Sequence, residues 1–172
     1  GSGVGKATPQ ELRVVHRYDK ASPVLAKMAA SGRHVSTAML SSRKAADLEE
    51  AVADLQAAGI DARWVAADCA DEASITHLVD ETLQRMGPID ILVNNAGATW
   101  GAPAETHPIQ AWDKVMNLNV RGYFLLCQQV ARRSMLLPRE DGQGSRGGRI
   151  INIASIAGLG GNPPGMQTIA YN

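Results

Sequence analysis

Apolar residues recur at helical spacing in three parts of the chain. Residues 44–58 place Leu48, Ala51, Val52 and Leu55 on one helix face, and Gly59 follows as a stop. Residues 71–86 repeat this spacing before Gly87-Pro88, a pair that ends helices. A third, longer helix is predicted over residues 109–136.

Short apolar segments stand between these helices and predict strands over residues 35–40, 62–66, 89–93 and 149–154. The segment 89–93 is almost continuously apolar, which is typical of a strand buried on both faces. Strands that alternate with helices indicate an α/β fold: a doubly wound, Rossmann-like parallel sheet with helices on both faces. The 172 residues suit one domain, 1–172.

Ligands of such sheets bind beyond the carboxyl ends of the strands. The residues that follow each predicted strand are therefore the candidates for function. They are Ser42, Arg43, Asp68, Cys69, Asn94, Asn95, Ala96, Gly97 and Ser155.

Residues 9–24 do not fit the alternation. Pro9, Pro23 and the mixed run between them show no clear period. We interpret this segment as a surface insertion, a disordered stretch or a non-homologous one.

Composition excludes several classes of protein. Lysine plus arginine and aspartate plus glutamate each number 17, so the net charge is zero and gives no broad attraction to nucleic acid or anionic membranes. No apolar run approaches the roughly 20 residues that span a bilayer. Two cysteines are too few for a disulfide framework, which favours a reducing, cytoplasmic setting. No metal site is predicted.

The segment from Asp90 to Gly97, DILVNNAG, resembles the fourth-strand motif of the short-chain dehydrogenases/reductases. Its two asparagines are expected to bond backbone groups of neighbouring strands, and Ala96-Gly97 would let a cofactor approach the backbone. Three further matches follow in the family's order. They are Asn119 within NLNV, Ser155 at the end of GRIINIAS, and Tyr171 after Ile169-Ala170.

The resemblance implies a catalytic role for Asn119, Ser155 and Tyr171. Tyr171 would transfer the proton, Ser155 would hold the carbonyl oxygen, and Asn119 would support a water in the relay. A free tyrosine has a pKa of about 10, and family members lower it with a lysine four residues later. The sequence ends at Asn172, so the 172-residue chain alone is expected to be inactive, and an inactive nucleotide-binding fragment is the alternative.

The spacing of sixteen positions from Ser155 to Tyr171 is a few more than is usual in the family. The additional residues, 161–168, are expected to form a loop that widens or re-aims the entrance for substrate.

The resemblance also implies a nicotinamide cofactor. Arg43, rather than an acidic residue, follows the second strand and favours NADP over NAD. Asp68 and Cys69 would lie near the adenine, and Asn95, Ala96, Gly97 and Tyr171 would complete the cofactor site with Ser42.

The first eight residues allow three interpretations. Gly3 and Gly5 resemble the last glycines of the family's phosphate-binding loop, which would leave the first strand missing. Gly5-Lys6 also resembles a phosphate-loop NTPase motif, but Ala7 stands where that motif needs serine or threonine. The leading Gly-Ser is also compatible with a cloning remnant.

Overall, the sequence resembles 3-oxoacyl-carrier-protein reductases and gluconate 5-dehydrogenases and does not distinguish them. The implied partners are a small carbonyl or alcohol substrate and further copies of the chain. Family members usually form dimers or tetramers through the long helix and the helix that follows the tyrosine.

Overall fold

The computed structural model describes residues 15–16, 37–160 and 167–171. Its strands, in chain order, are β1 (Val15–His16), β2 (Thr37–Ser42), β3 (Asp61–Ala66), β4 (Ile91–Asn94) and β5 (Arg149–Asn152). Its α-helices are α1 (Ala45–Ala57), α2 (Glu72–Met86), α3 (Ile109–Met116) and α4 (Tyr123–Val130).

The strands are parallel throughout. β2 pairs with β1 on one side and β3 on the other, β4 pairs with β5, and β1 lies beside β4. The strands therefore lie in the order β3-β2-β1-β4-β5. Successive strands of the chain are added on one side of β1 up to β3 and on its other side from β4, as in a doubly wound sheet. The predicted α/β fold class is confirmed, with strand boundaries shifted by two residues or fewer.

The structure describes only Val15–His16 of the segment 9–24, so the interpretation of the segment as a whole stays a prediction. Val15 and His16 pair with Met39 and Leu40 of β2, so a first strand is present. A strand of two residues is too short to show an alternating pattern, which is why the sequence did not indicate it. The rest of residues 9–24, and the candidates Gly3 and Gly5, lie outside the described residues.

Two apolar clusters cover opposite faces of the sheet, because neighbouring side chains of a strand point to opposite sides. Ala38 and Leu40 of β2 pack in a cluster with the buried face of α1. Met39, between them, packs in the other cluster, which holds residues of α2 and α4. Helices thus cover both faces of β2.

The long predicted helix is confirmed, with two wider turns. Asn117–Gly122 and Ala131–Met135 are π-helical, and the backbone remains right-handed helical at each junction. Polar contacts tie this helix to α2: Arg121 pairs with Glu72 at 2.8 Å, Gln129 bonds Thr76 at 2.9 Å, and Arg133 pairs with Asp80.

β4 is less buried than predicted. Leu92 and Asn94 are buried, whereas Ile91 and Val93, on the other face, are partly exposed. The cluster under α1 contains no residue of β4, so that face lacks cover from the described helices. All four residues of β5 are exposed. No helix in the described part of the chain is both long and apolar enough to cross a membrane.

Candidate functional site

A cavity of about 570 Å³ lies at the carboxyl ends of β4 and β5. Five sequence-predicted site residues line it together: Asn95, Gly97, Asn119, Ser155 and Tyr171. They come from four separate parts of the chain, and the parallel sheet brings them to one edge. The other wall residues are Ala98, Thr99, Val120, Tyr123, Asn152, Ile153, Ala154 and Gly158.

Asn119 fixes the chain that follows β4. Its Oδ1 accepts a hydrogen bond from the Ala98 N–H, and its Nδ2 donates to the Ala98 carbonyl, both at 2.8 Å. The residue lies within the π-helical turn Asn117–Gly122, and such turns are frequent at functional sites. Asn119 thereby joins the helix to the cavity wall next to Gly97.

Asn94, the last residue of β4, and Asn95 do not both bond backbone groups as expected. Asn94 instead donates from Nδ2 to the side-chain Oδ1 of Asn152 on β5, at 2.8 Å. It also donates to the sulfur of Cys127 at 3.3 Å. The register places Asn94 directly opposite Asn152, so the side chains meet before either reaches a neighbouring backbone. Asn95 faces the cavity.

Ser155 begins a short 3₁₀ helix, Ile156–Leu159. Its Oγ accepts a hydrogen bond from the Ala157 N–H at 3.2 Å. A hydroxyl has one proton to donate and two lone pairs, so this contact leaves the Ser155 proton available to a group in the cavity.

Tyr171 reaches the cavity through a turn in which its N–H donates to the Thr168 carbonyl at 2.9 Å. The same segment is tied to the chain after β4, because the Ala102 N–H donates to the Gln167 carbonyl at 2.7 Å. The predicted loop over residues 161–168 falls mostly outside the described residues.

Tyr123 is a site residue that the sequence analysis missed. It lines the cavity one helical turn after Asn119, and its hydroxyl donates to the Ile153 carbonyl at 3.4 Å. Burial, with smaller contributions from Cys69 and Tyr171, raises the pKa of Tyr123 to about 12. The spacing of four from Asn119 is the feature of the sequence that could have placed both side chains on one helix face.

The other cofactor candidates form a second, small pocket between the ends of β2 and β3. Ser42, Arg43, Asp68, Cys69 and Ala96 line it, and its volume is about 10 Å³. The Arg43 guanidinium lies 3.6 Å from the Asp68 carboxylate. Asp68 does not cap α2; Asp71 does so, by accepting from the Ser74 N–H at 2.7 Å.

Ser41 is an unexpected member of the small pocket. Only 1% of it is exposed, and its Oγ has no hydrogen-bond partner among the described residues. A buried hydroxyl without a partner is costly, and a pocket of about 10 Å³ has room for about one water molecule that could bond it.

Comparison with known proteins gives a match to the family model described as short chain dehydrogenase, over residues 24–171. A 3-oxoacyl-[acyl-carrier-protein] reductase of Synechocystis is 35% identical over 94% of this chain and 55% of its own length. The rhamnolipids biosynthesis 3-oxoacyl-[acyl-carrier-protein] reductase of Pseudomonas aeruginosa is 38% identical over 64% of this chain and 41% of its own.

A gluconate 5-dehydrogenase of Gluconobacter oxydans is 36% identical over 72% of this chain and 45% of its own. The chain thus spans about half the length of these curated relatives.

Solved structures share the fold. NAD⁺-bound xylitol dehydrogenase superposes with a TM-score of 0.76 at 29% identity, over 94% of this chain and 58% of its own. The structure titled gox2181 gives a TM-score of 0.78 at 28% identity, over 95% of this chain and 60% of its own.

Proposed function

Because the chain belongs to the short-chain dehydrogenase family, we propose that the protein carrying it is an NADP(H)-dependent oxidoreductase that interconverts a secondary alcohol and a ketone. One observation carries this proposal: Asn119, Ser155 and Tyr171 line a single cavity. Reduction of a ketone requires a hydride at carbon and a proton at oxygen, and these side chains are suited to the second requirement.

In the direction of reduction, the Ser155 hydroxyl donates a hydrogen bond to the substrate oxygen and stabilises the negative charge that develops there. The Tyr171 hydroxyl gives its proton to the same oxygen and completes the alcohol. Asn119 holds the wall at Ala98, so that the substrate and these two hydroxyls keep their relative positions.

The described residues fit a nicotinamide nucleotide, which when bound supplies or accepts the hydride. Gly97 faces the cavity, and the nearest atoms to a Cβ built on it are 3.9 Å away, so the bare backbone leaves room for a ligand. Ser42 and Arg43, at the carboxyl end of β2, would hold the adenosine end.

The preference for NADP depends on Arg43. Asp68 is its partner in the structure, so a 2′-phosphate would replace that carboxylate. Replacing Arg43 with alanine should weaken NADPH binding about 10- to 100-fold, the effect of losing a hydrogen bond to a charged group, and leave NADH binding nearly unchanged.

Calorimetric titration of each nucleotide measures this difference in affinity. Arg132→Ala, which removes an exposed charge from the long helix, is the matched control. Equal losses of affinity for NADPH and NADH in Arg43→Ala would contradict the assignment.

The substrate class that we propose is a 3-oxoacyl thioester or a sugar-acid type alcohol, supported by the names of the relatives. We also propose that the protein is cytoplasmic and assembles into a dimer or tetramer.

The test is reduction of an acetoacetyl thioester, or oxidation of gluconate, followed at 340 nm with the protein that carries this sequence. Tyr171→Phe should lower kcat by about 10²–10⁴-fold and Ser155→Ala by about 10²–10³-fold, with NADPH binding retained. Ser145→Ala, in an exposed loop, is the control. NADPH binding without turnover on either substrate would favour the inactive nucleotide-binding protein instead.

A further inference from the structure

Tyr123 lines the same cavity as Ser155 and Tyr171 but has no part in the chemistry described above. It lies four residues after Asn119, so the two side chains leave neighbouring turns of one helix on the same side. Asn119 reaches the chain after β4, whereas Tyr123 reaches the chain after β5. The helix thus contacts both strand ends that form the site.

Ile153, the partner of Tyr123, is the first residue after β5. Its N–H donates to the Asn94 carbonyl at 2.8 Å, which continues the pairing with β4. Its carbonyl accepts from the Tyr123 hydroxyl at 3.4 Å. Both backbone polar groups of Ile153 are therefore hydrogen-bonded. Ser155 follows only two residues later in the chain.

The state of the Tyr123 hydroxyl suits this contact. Burial raises the pKa of Tyr123 to about 12, so the group remains protonated and can donate at any pH at which the protein works. A phenolate would have no proton to give to the Ile153 carbonyl.

We propose that Tyr123 is a positioning residue that holds the Ile153 carbonyl and thereby fixes Ser155 at the substrate oxygen. This inference rests on the proposed oxidoreductase function. Tyr123 acts through Ser155, so its effect on the reaction requires the Ser155 hydroxyl.

The test is Tyr123→Phe, which removes the hydroxyl and keeps the ring. We expect kcat to fall about 3- to 10-fold, the effect of one ordinary hydrogen bond, while the KM for the nucleotide stays unchanged. In the Ser155→Ala background the same substitution should have no further effect on kcat, because the group that it positions is gone. Ser145→Ala, a hydroxyl deletion in an exposed loop, should leave kcat unchanged.

Two kinetic results would overturn the proposal. One is an unchanged kcat in Tyr123→Phe. The other is a loss that is equal with and without the Ser155 hydroxyl, since a general effect on the fold would not depend on that group.

A second measurement does not depend on turnover. In Tyr123→Phe, amide hydrogen exchange should become faster at Ile153 and Ala157, whose N–H groups bond Asn94 and Ser155, and stay constant in α2. If the protein has no oxidoreductase activity, the proposed function is wrong. The exchange rates still show whether the Tyr123 hydroxyl holds the Ile153 carbonyl. Unchanged exchange at both amides would reject it.

Discussion

Gly122 lies where the long helix passes the turn that follows β3. A Cβ at this position would collide with the carbonyl oxygen of Cys69 and would lie 3.2 Å from the Asn117 carbonyl oxygen. Both atoms belong to the backbone, so neither can rotate away. The close approach of helix and turn, which brings Asn119 and Tyr123 to the cavity, depends on the missing side chain.

Gly122→Ala should therefore destabilise the protein by about 1–3 kcal/mol, the usual effect of overpacking. A loss of stability would be informative, because alanine in place of glycine inside a helix ordinarily stabilises a protein by up to about 1 kcal/mol. Urea denaturation followed by circular dichroism measures the change. Gly158→Ala, at a helical glycine with no atom within 4 Å of the added Cβ, should show no such loss. Equal stability of the two variants would refute the close contact.

Short motifs that resemble those of the family predicted most of the candidate site. Asn95, Asn119, Ser155 and Tyr171 were selected from the sequence, and the structure brings all four to one cavity, although their roles stay predictions. Tyr123 was missed because a tyrosine within an apolar helix face is indistinguishable from a core residue until its neighbours are known. The Arg43–Asp68 pair was missed because it joins the ends of two different strands.

At the scale of elements, β4 and β5 are joined by side chains as well as by backbone pairing. Asn94 is 2% exposed and donates to Asn152 at 2.8 Å across the two strands. This pair stands at the carboxyl ends, directly before Asn95 and two residues before Ala154-Ser155. Correct spacing of the two cavity walls therefore depends on it.

A double-mutant cycle on Asn94→Ala and Asn152→Ala tests this link. We expect each single substitution to reduce the free energy of unfolding, and the pair to show a coupling of about 0.5–1.5 kcal/mol, the net contribution of a hydrogen bond. Chemical denaturation of the four proteins gives the coupling. Replacing the exposed amide of Gln128 with alanine in combination with Asn152→Ala should be additive. Additivity of the Asn94 and Asn152 substitutions would show that the bond does not link the strands.

The elements themselves were largely predictable. α1 and α2 match their predicted spans because each has one regular apolar face and a clear stop. β1 was not predictable, since two residues carry no period, and the π-helical turns were not either, since they leave the apolar spacing almost unchanged.

At the scale of the whole molecule, β5 stands at the end of the described sheet with β4 as its paired strand. Ile150 and Ile151 point to opposite faces and are 39% and 45% exposed, and Ile156 and Leu159 nearby are more exposed still. Exposed apolar side chains on both faces of a strand at the end of the described sheet favour association.

The 172-residue polypeptide should therefore bind the dye ANS in its folded state and self-associate as its concentration rises. Ile151→Lys should reduce both effects, because a charge on an edge strand disfavours pairing. Dye fluorescence and light scattering measure them. Ile109→Lys, at an exposed isoleucine of α3, should change neither. A wild-type polypeptide that binds no dye and stays monomeric would show that this surface is not accessible in solution.

The sequence by itself determined the fold class, the family and the residue types of the site. Each of these depends on local pattern: the period of apolar positions, the stops between elements, and short motifs that lie at strand ends. The tertiary structure alone decided which side chains touch, including the Asn94–Asn152 pair, the Arg43–Asp68 pair and the contact of Tyr123 with Ile153. These contacts join residues that are 25 to 58 positions apart in the chain, and the distances between them are set by how the helices pack on the sheet.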